Sequence, residues 1–220
     1  GDGSPDLIIG AGFGAAPYVS VFDGATGAIE ATFYAYAQSF RGGVRVAAGD
    51  VDGDGRAELI TGAGPGGGPQ VNVYRLACAA SESCRVSLNN AFFAFSAPSF
   101  TGGVYVAAGD TNGDGKDEVV VGAGASGAPR VQVFAWPLDR IANDFFAYSP
   151  TFIGGVKVAA GDVNADGKDE IITVPATRGV SNVKVFSGAW TGKQPDVMLS
   201  FFAFDPASTG DSSVASGQFN

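Results

Sequence analysis

The chain has 220 residues, 45% apolar and 16% charged, which is enough for a sizeable core and too hydrophobic for a disordered polymer. A net charge of −9 argues against a nucleic-acid partner, and no apolar run is long enough to insert in a membrane as a helix. The 34 glycines follow no three-residue period, which excludes collagen, and the absence of histidine removes every His-based triad or general base.

The chain starts at Gly1 without a signal peptide and reads as a processed product or a fragment. Gly1-Asp2-Gly3-Ser4-Pro5-Asp6 leads into the apolar run Leu7-Ile8-Ile9. From Gly43 a complete unit follows. Val44 to Ala48 alternates like a strand, an acidic loop comes next, and Glu58 to Gly62 is a second strand. The turn Gly64-Pro65-Gly66-Gly67-Gly68-Pro69 precedes a third strand, Gln70 to Leu76, and Ala91 to Phe95 is the fourth. Between the last two lie Cys78 and Cys84, six residues apart across a predicted hairpin tip. No other cysteine and no histidine exists to complete a metal site with them. A disulfide is the preferred reading over free thiols. It implies an oxidising, extracytoplasmic location, and its short loop implies a modest effect on global stability.

The unit recurs from Gly103 to Phe152 and begins again at Gly155, ending with Phe201-Phe202-Ala203-Phe204. The N-terminal stretch matches only the later part of the unit, because Gly1 to Gly10 aligns with Gly53 to Gly62. Val214 to Asn220 aligns with Val106 to Asn112 and supplies the missing start. Successive loop aspartates Asp2, Asp54, Asp114 and Asp166 are 52, 60 and 52 residues apart, and the way round through the termini is 56. Four strands per repeat of about 55 residues predict an all-β, four-bladed propeller with four-stranded antiparallel blades. Its first blade (213–220 with 1–40) is closed by the C-terminal strand, and blades two, three and four span 43–100, 103–152 and 155–210. An open arc from a larger propeller is the alternative.

Each full unit carries one acidic loop. The first places Asp50, Asp52, Asp54 and Glu58 at loop positions 1, 3, 5 and 9. The second has Asp110, Asn112, Asp114 and Glu118, and the third Asp162, Asn164, Asp166 and Glu170. A hard cation such as calcium wants six to eight oxygens, and the backbone carbonyl at position 7 (Arg56, Lys116, Lys168) is a natural further ligand. The glycine at position 6 allows the sharp turn. A plain Asp-Gly hairpin turn needs no metal, but it would not require an acid at position 9 in every copy. The loop is not an EF-hand, because position 12 is Thr61, Val121 or Thr173 rather than a bidentate Glu.

Little in the chain points to catalysis. The carboxylate pairs are explained by the loops, and the glycine runs join strands rather than opening a helix on a nucleotide. The expectation is that the protein is not an enzyme. The motif Phe33-Tyr34-Ala35-Tyr36 and its counterparts are expected to pack between blades rather than to form a stacking platform for sugars or bases.

Gly12-Phe13-Gly14-Ala15-Ala16-Pro17 resembles the signature of FG-GAP repeats, and Gly64 to Pro69 and Gly124 to Pro129 are looser versions. The acidic loop is similar to the calcium loops of integrin α-subunit propellers and of bacterial FG-GAP/VCBS-type proteins. The resemblance covers essentially the whole chain. It implies calcium held between the first two strands of each blade by the loop residues named above, in three sites. It also implies a fourth, weaker site split across the termini, using Asn220, Asp2, Ser4 and Asp6. Gln218 stands there in place of the first aspartate, and four blades are fewer than the seven of integrins. The expected function is an extracellular, calcium-stabilised, non-catalytic binding or adhesion module for a protein or glycan. The alternative is a structural subunit joined head to tail through the split first blade, and a hydrolase-associated domain ranks last.

Overall fold

The computed structural model describes residues 5–79, 82–95, 100–177, 179–188, 194–205, 207 and 212–216. They form the predicted all-β, four-bladed propeller of antiparallel sheets. Blade one contains β1 (Leu7–Gly10), β2 (Tyr18–Phe22) and β3 (Ile29–Tyr34). Blade two is the meander of β4 (Val44–Gly49), β5 (Glu58–Ala63), β6 (Gln70–Ala79) and β7 (Glu82–Phe93). Blade three has β8 (Val104–Gly109), β9 (Glu118–Ala123), β10 (Arg130–Phe134) and β11 (Ile141–Phe146). Blade four has β12 (Val156–Gly161), β13 (Glu170–Pro175), β14 (Asn182–Phe186) and β15 (Val197–Phe202).

The period-2 geometry of a strand sends neighbouring side chains to opposite faces, and each blade uses both. Leu59 packs with Val19, Val21 and Ala31 of blade one, whereas the adjacent Ile60 packs with Val104 and Val106 of blade three. The second strand of each complete blade is therefore buried on both faces and mostly apolar after its opening Glu, as in β5, β9 and β13. In three of the four copies the first aromatic of the motif packs between blades as expected. Phe33 meets Tyr74 at 4.8 Å between ring centroids, Phe92 meets Phe134 at 4.5 Å, and Phe145 meets Phe186 at 4.9 Å.

Cys78 and Cys84 form the expected disulfide. It lies on a longer hairpin than the sequence pattern predicts. β6 and β7 keep pairing beyond the blade, through Leu76 with Val86 and Ala77 with Arg85, so the third strand runs past Leu76 and the fourth starts well before Ala91. Trp136, which breaks the repeat, is partly buried against the core of blades two and three, and Trp190 lies outside the described residues.

Among the described residues no strand pairs with the free edge of β1, so the closing strand expected from Val214 to Asn220 is not confirmed. Residues 217–220 lie outside the description, and residues 212–216 are docked on blade four. Val214 packs against Ala159, Ile172 and Val185. Lys157 Nζ donates to the Ser212 carbonyl at 2.5 Å, and Ser216 Oγ donates to the Ala160 carbonyl. A Cβ built on Gly49 would lie 2.6 Å from the Cβ of Ala108, one on Gly109 2.7 Å from that of Ala160, and one on Gly161 2.7 Å from that of Ser216. Ser216 therefore occupies the place that first-strand alanines hold at the other seams, as the alignment of the two chain ends predicts, but without the pairing to β1.

Candidate metal sites

The three acidic loops fold alike because their first aspartate gathers backbone N–H groups. Asp50 Oδ1 accepts from Gly53 and Asp54 at 2.8 and 3.1 Å, and its Oδ2 accepts from Gly55 at 2.8 Å. Asp110 repeats this with Gly113, Asp114 and Gly115, and Asp162 with Ala165, Asp166 and Gly167. These bonds require left-handed backbone at two positions. Position 6 is Gly55, Gly115 or Gly167, with φ of 86°, 86° and 85°. Position 4 is Gly53 or Gly113 in two loops but Ala165 in the third, where a φ of 62° costs about 1 kcal/mol.

The other acids divide their oxygens between scaffold and site. Asp54, Asp114 and Asp166 each accept the position-7 N–H (Arg56, Lys116, Lys168) on Oδ1, at 3.0, 3.0 and 2.9 Å. Glu58, Glu118 and Glu170 accept the N–H of Val51, Thr111 and Val163 on Oε2, at 3.2, 3.0 and 3.1 Å. The opposite oxygens converge on one donor. In blade three it is Asn112 Nδ2, 3.1 Å from Asp114 Oδ2 and 2.5 Å from Glu118 Oε1. In blade four Asn164 Nδ2 lies 3.0 Å from both Asp166 Oδ2 and Glu170 Oε1. In blade two the donor is Arg75, whose guanidinium touches Asp52, lies 3.8 Å from Asp54 and 3.6 Å from Glu58.

Oxygens held rigidly by backbone N–H groups and aimed at one point fit a hard cation. Asp50, Asp52 and Glu58 bring their oxygens within 4.8 Å of one another. Burial pushes the Glu118 carboxyl up to about 7, and it raises Glu58 and Glu170 as well. Asp162 moves the other way, chiefly through the N–H of Gly167. Carboxyl groups raised by burial at a convergence point of like charge are ones a bound cation would stabilise in their ionised form.

In blades three and four the side chains at positions 3, 5 and 9 meet, while Asp110 and Asp162 at position 1 hold the loop backbone; in blade two Asp50 also comes close to Asp52 and Glu58. Asp2, Ser4 and Asn220 of the split fourth site lie outside the described residues. Asp6 accepts the Gly24 N–H at 3.3 Å and shares a neighbourhood with Asp23 and Glu30. Sequence reasoning missed Arg75, Asp117 and Asp169. Arg75 stands where blades three and four have Ala135 and Ser187, and it accompanies the extra carboxylate of Asp52. Counting positions 1, 3, 5 and 9, that loop has one more negative charge than the other two, and Arg75 offsets it. Asp117 and Asp169 occupy position 8. Asp117 Oδ2 accepts the Asp50 N–H at 2.9 Å while its own N–H donates to the Asp50 carbonyl at 2.9 Å. Asp169 clasps Asp110 in the same way, at 3.1 and 2.9 Å. Each clasp ties one loop to the next blade.

Fold and loops together define a repeat propeller with an acidic loop between the first and second strands of each complete blade. Residues 42–74 and 102–134 match the FG-GAP repeat. No curated protein matches the chain. Among solved structures, the crystal structure of the exotype rhamnogalacturonan lyase YesX is similar at 15% identity with a TM-score of 0.44. The overlap covers 89% of this chain and 38% of that one, so the chain spans well under half the length of that structure.

Proposed function

We propose that the chain is a calcium-stabilised, non-catalytic binding module that works outside the cytoplasm on a protein or glycan partner. The observation that carries this reading is the threefold convergence of carboxylate oxygens, each backed by a backbone N–H. Calcium at those points adds no chemistry of its own here. It cross-links the first two strands of a blade and fixes the surface they present. The disulfide supports the location, and no described helix is long and apolar enough to cross a membrane. Between blades three and four a cleft of about 480 Å³, lined by Tyr148, Phe152, Asn182, Lys184 and Phe202, combines aromatic walls with polar groups, as ligand clefts do. The test is a glycan array and a cell-surface binding assay, each run in calcium and in chelator. Binding in calcium that chelator abolishes supports the module, and binding indifferent to chelator overturns the role given to the metal.

Arg75 gives this reading a sharper expectation. Its guanidinium competes with the ion for Asp52, Asp54 and Glu58, so blade two binds calcium more weakly than its four carboxylates suggest. Arg75→Ala raises the affinity of that one site about tenfold or more in a calorimetric calcium titration, for the loss of one nearby positive charge. An unchanged isotherm would remove Arg75 from the site.

A structural subunit joined head to tail is the second reading. It is favoured by one observation, the apolar surface exposed where blades four and one should meet.

A further inference from the structure

The three internal seams show how one blade covers the next, and the fourth does not follow them. On the face of blade one directed away from blade two, Leu7 and Ile9 are 56% and 49% exposed. The residues in the same register of the later blades (Leu59 and Thr61, Val119 and Val121, Ile171 and Thr173) are no more than 1% exposed. On the face of blade four directed away from blade three, Leu199 and Phe201 are 54% and 49% exposed, whereas their blade-three equivalents Asn143 and Phe145 are 5% and 3%. Phe33, Phe92 and Phe145 each meet an aromatic ring of the following blade. Phe201 is the fourth of the series and its register partner would be Phe22, yet it makes no ring contact among the described residues.

We propose that these two faces are a self-association surface, blade four of one copy docking blade one of the next. The repeat itself supplies the complementarity. Leu7 and Ile9 present the half-seam that Ile171 and Thr173 present to blade three, and Leu199 and Phe201 present the half that receives it. The four side chains carry no charge, so their burial incurs no charge desolvation. Exposed apolar faces of this kind on a folded chain mark interaction sites. Among the described residues of one chain the two halves do not cover each other; a second copy brings the missing half in the right register. Residues 212–216 already lie on blade four in the place of a first strand, so the incoming blade one finds an extended segment beside the free edge of its β1. The joint is heterologous, building a ring if the rotation closes and a filament if it does not. It deepens the structural-subunit reading, replacing an exchanged strand with a packed seam, and does not depend on the calcium assignment.

The test is molar mass by light scattering on a sizing column, at several protein concentrations in saturating calcium and again in chelator. The native chain is expected above its 22.1 kDa chain mass. Leu7→Glu destroys one half of the joint and Phe201→Glu the other, so each variant alone runs as a monomer. An equimolar mixture of the two retains one intact joint and runs at twice the chain mass, as a dimer that cannot grow. Both positions are exposed, so the variants keep the native circular dichroism; Ile9→Glu with Leu199→Glu is the second pair if either fails to fold. A native chain that stays monomeric overturns the proposal in favour of closure within one chain. So does a mixture that remains monomeric, or single variants that still assemble.

Discussion

Removing calcium is expected to lower the thermal midpoint of the chain by more than about 10 °C. An ion that binds only the folded state contributes about 2.7 kcal/mol per site at a hundredfold excess over its dissociation constant. For a chain of this size each kcal/mol moves the midpoint by roughly 2–4 °C, so three filled loops exceed the threshold comfortably. Asp114→Ala removes a carboxylate whose two oxygens serve the loop turn and the convergence point, and it abolishes one site. Asp2→Ala in the split fourth loop costs less, because Gln218 supplies no carboxylate at position 1. The effect of chelation also depends on pH, and its sign is fixed by Glu118. That carboxyl titrates near 7 in the ion-free fold against 4.5 ordinarily. Between those values the ion-free fold holds a proton that the unfolded chain has released. Its contribution is complete below pH 4.5 and is lost as pH rises through 7. The gap between calcium and chelator melts is therefore wider at pH 8 than at pH 5. Differential scanning calorimetry at both values measures it, and melts that coincide in calcium and chelator would discard the metal sites.

The second large effect is Gly64→Ala, which destabilises the chain by about 3 kcal/mol and lowers the midpoint by roughly 6–12 °C. A Cβ at Gly64 would lie 1.8 Å from the Gly42 carbonyl oxygen and 2.6 Å from its carbon. The obstacle is backbone, so no rotamer change relieves it, and the Gly64 N–H is already committed to the Gly43 carbonyl at 3.0 Å. Gly124 repeats the contact against Gly102, at 2.1 Å. Gly12→Ala is the control: nothing lies within 4 Å of its Cβ position, and its effect stays within about 0.5 kcal/mol. If the two variants melt together, close backbone approach is not what the glycine runs provide.

Much of the architecture was legible because the chain repeats its own solution. Strand, acidic loop, strand and glycine turn recur with the same spacing, and each copy confirms the others. The oxygen-bearing side chains at positions 1, 3, 5 and 9 were legible for the same reason. What the repeat does not contain was harder to see. Arg75 occurs once, and nothing local ties it to a loop some 20 residues earlier; only the pairing of Leu59 with Tyr74 carries its strand to Asp52. Asp117 and Asp169 look like surplus acids until the next blade places them against Asp50 and Asp110. The hairpin of β6 and β7 outgrows its blade because its pairing continues toward the disulfide, which strand propensity does not encode. The state of the fourth seam is a property of how four blades stack, and no single blade's sequence records it.

The position-8 clasps give the molecule a mechanical polarity. Asp117 and Asp169 bolt blades two, three and four into one row, each bolt a two-way hydrogen bond between neighbouring loops. Ala57 and Pro5 hold the same position in the other two units and offer no carboxylate, and Pro5 no N–H either. Under a pulling load, such as shear on a tethered surface, blade one is the part that yields first. The bolted row behind it stays intact and bears the load as a single block.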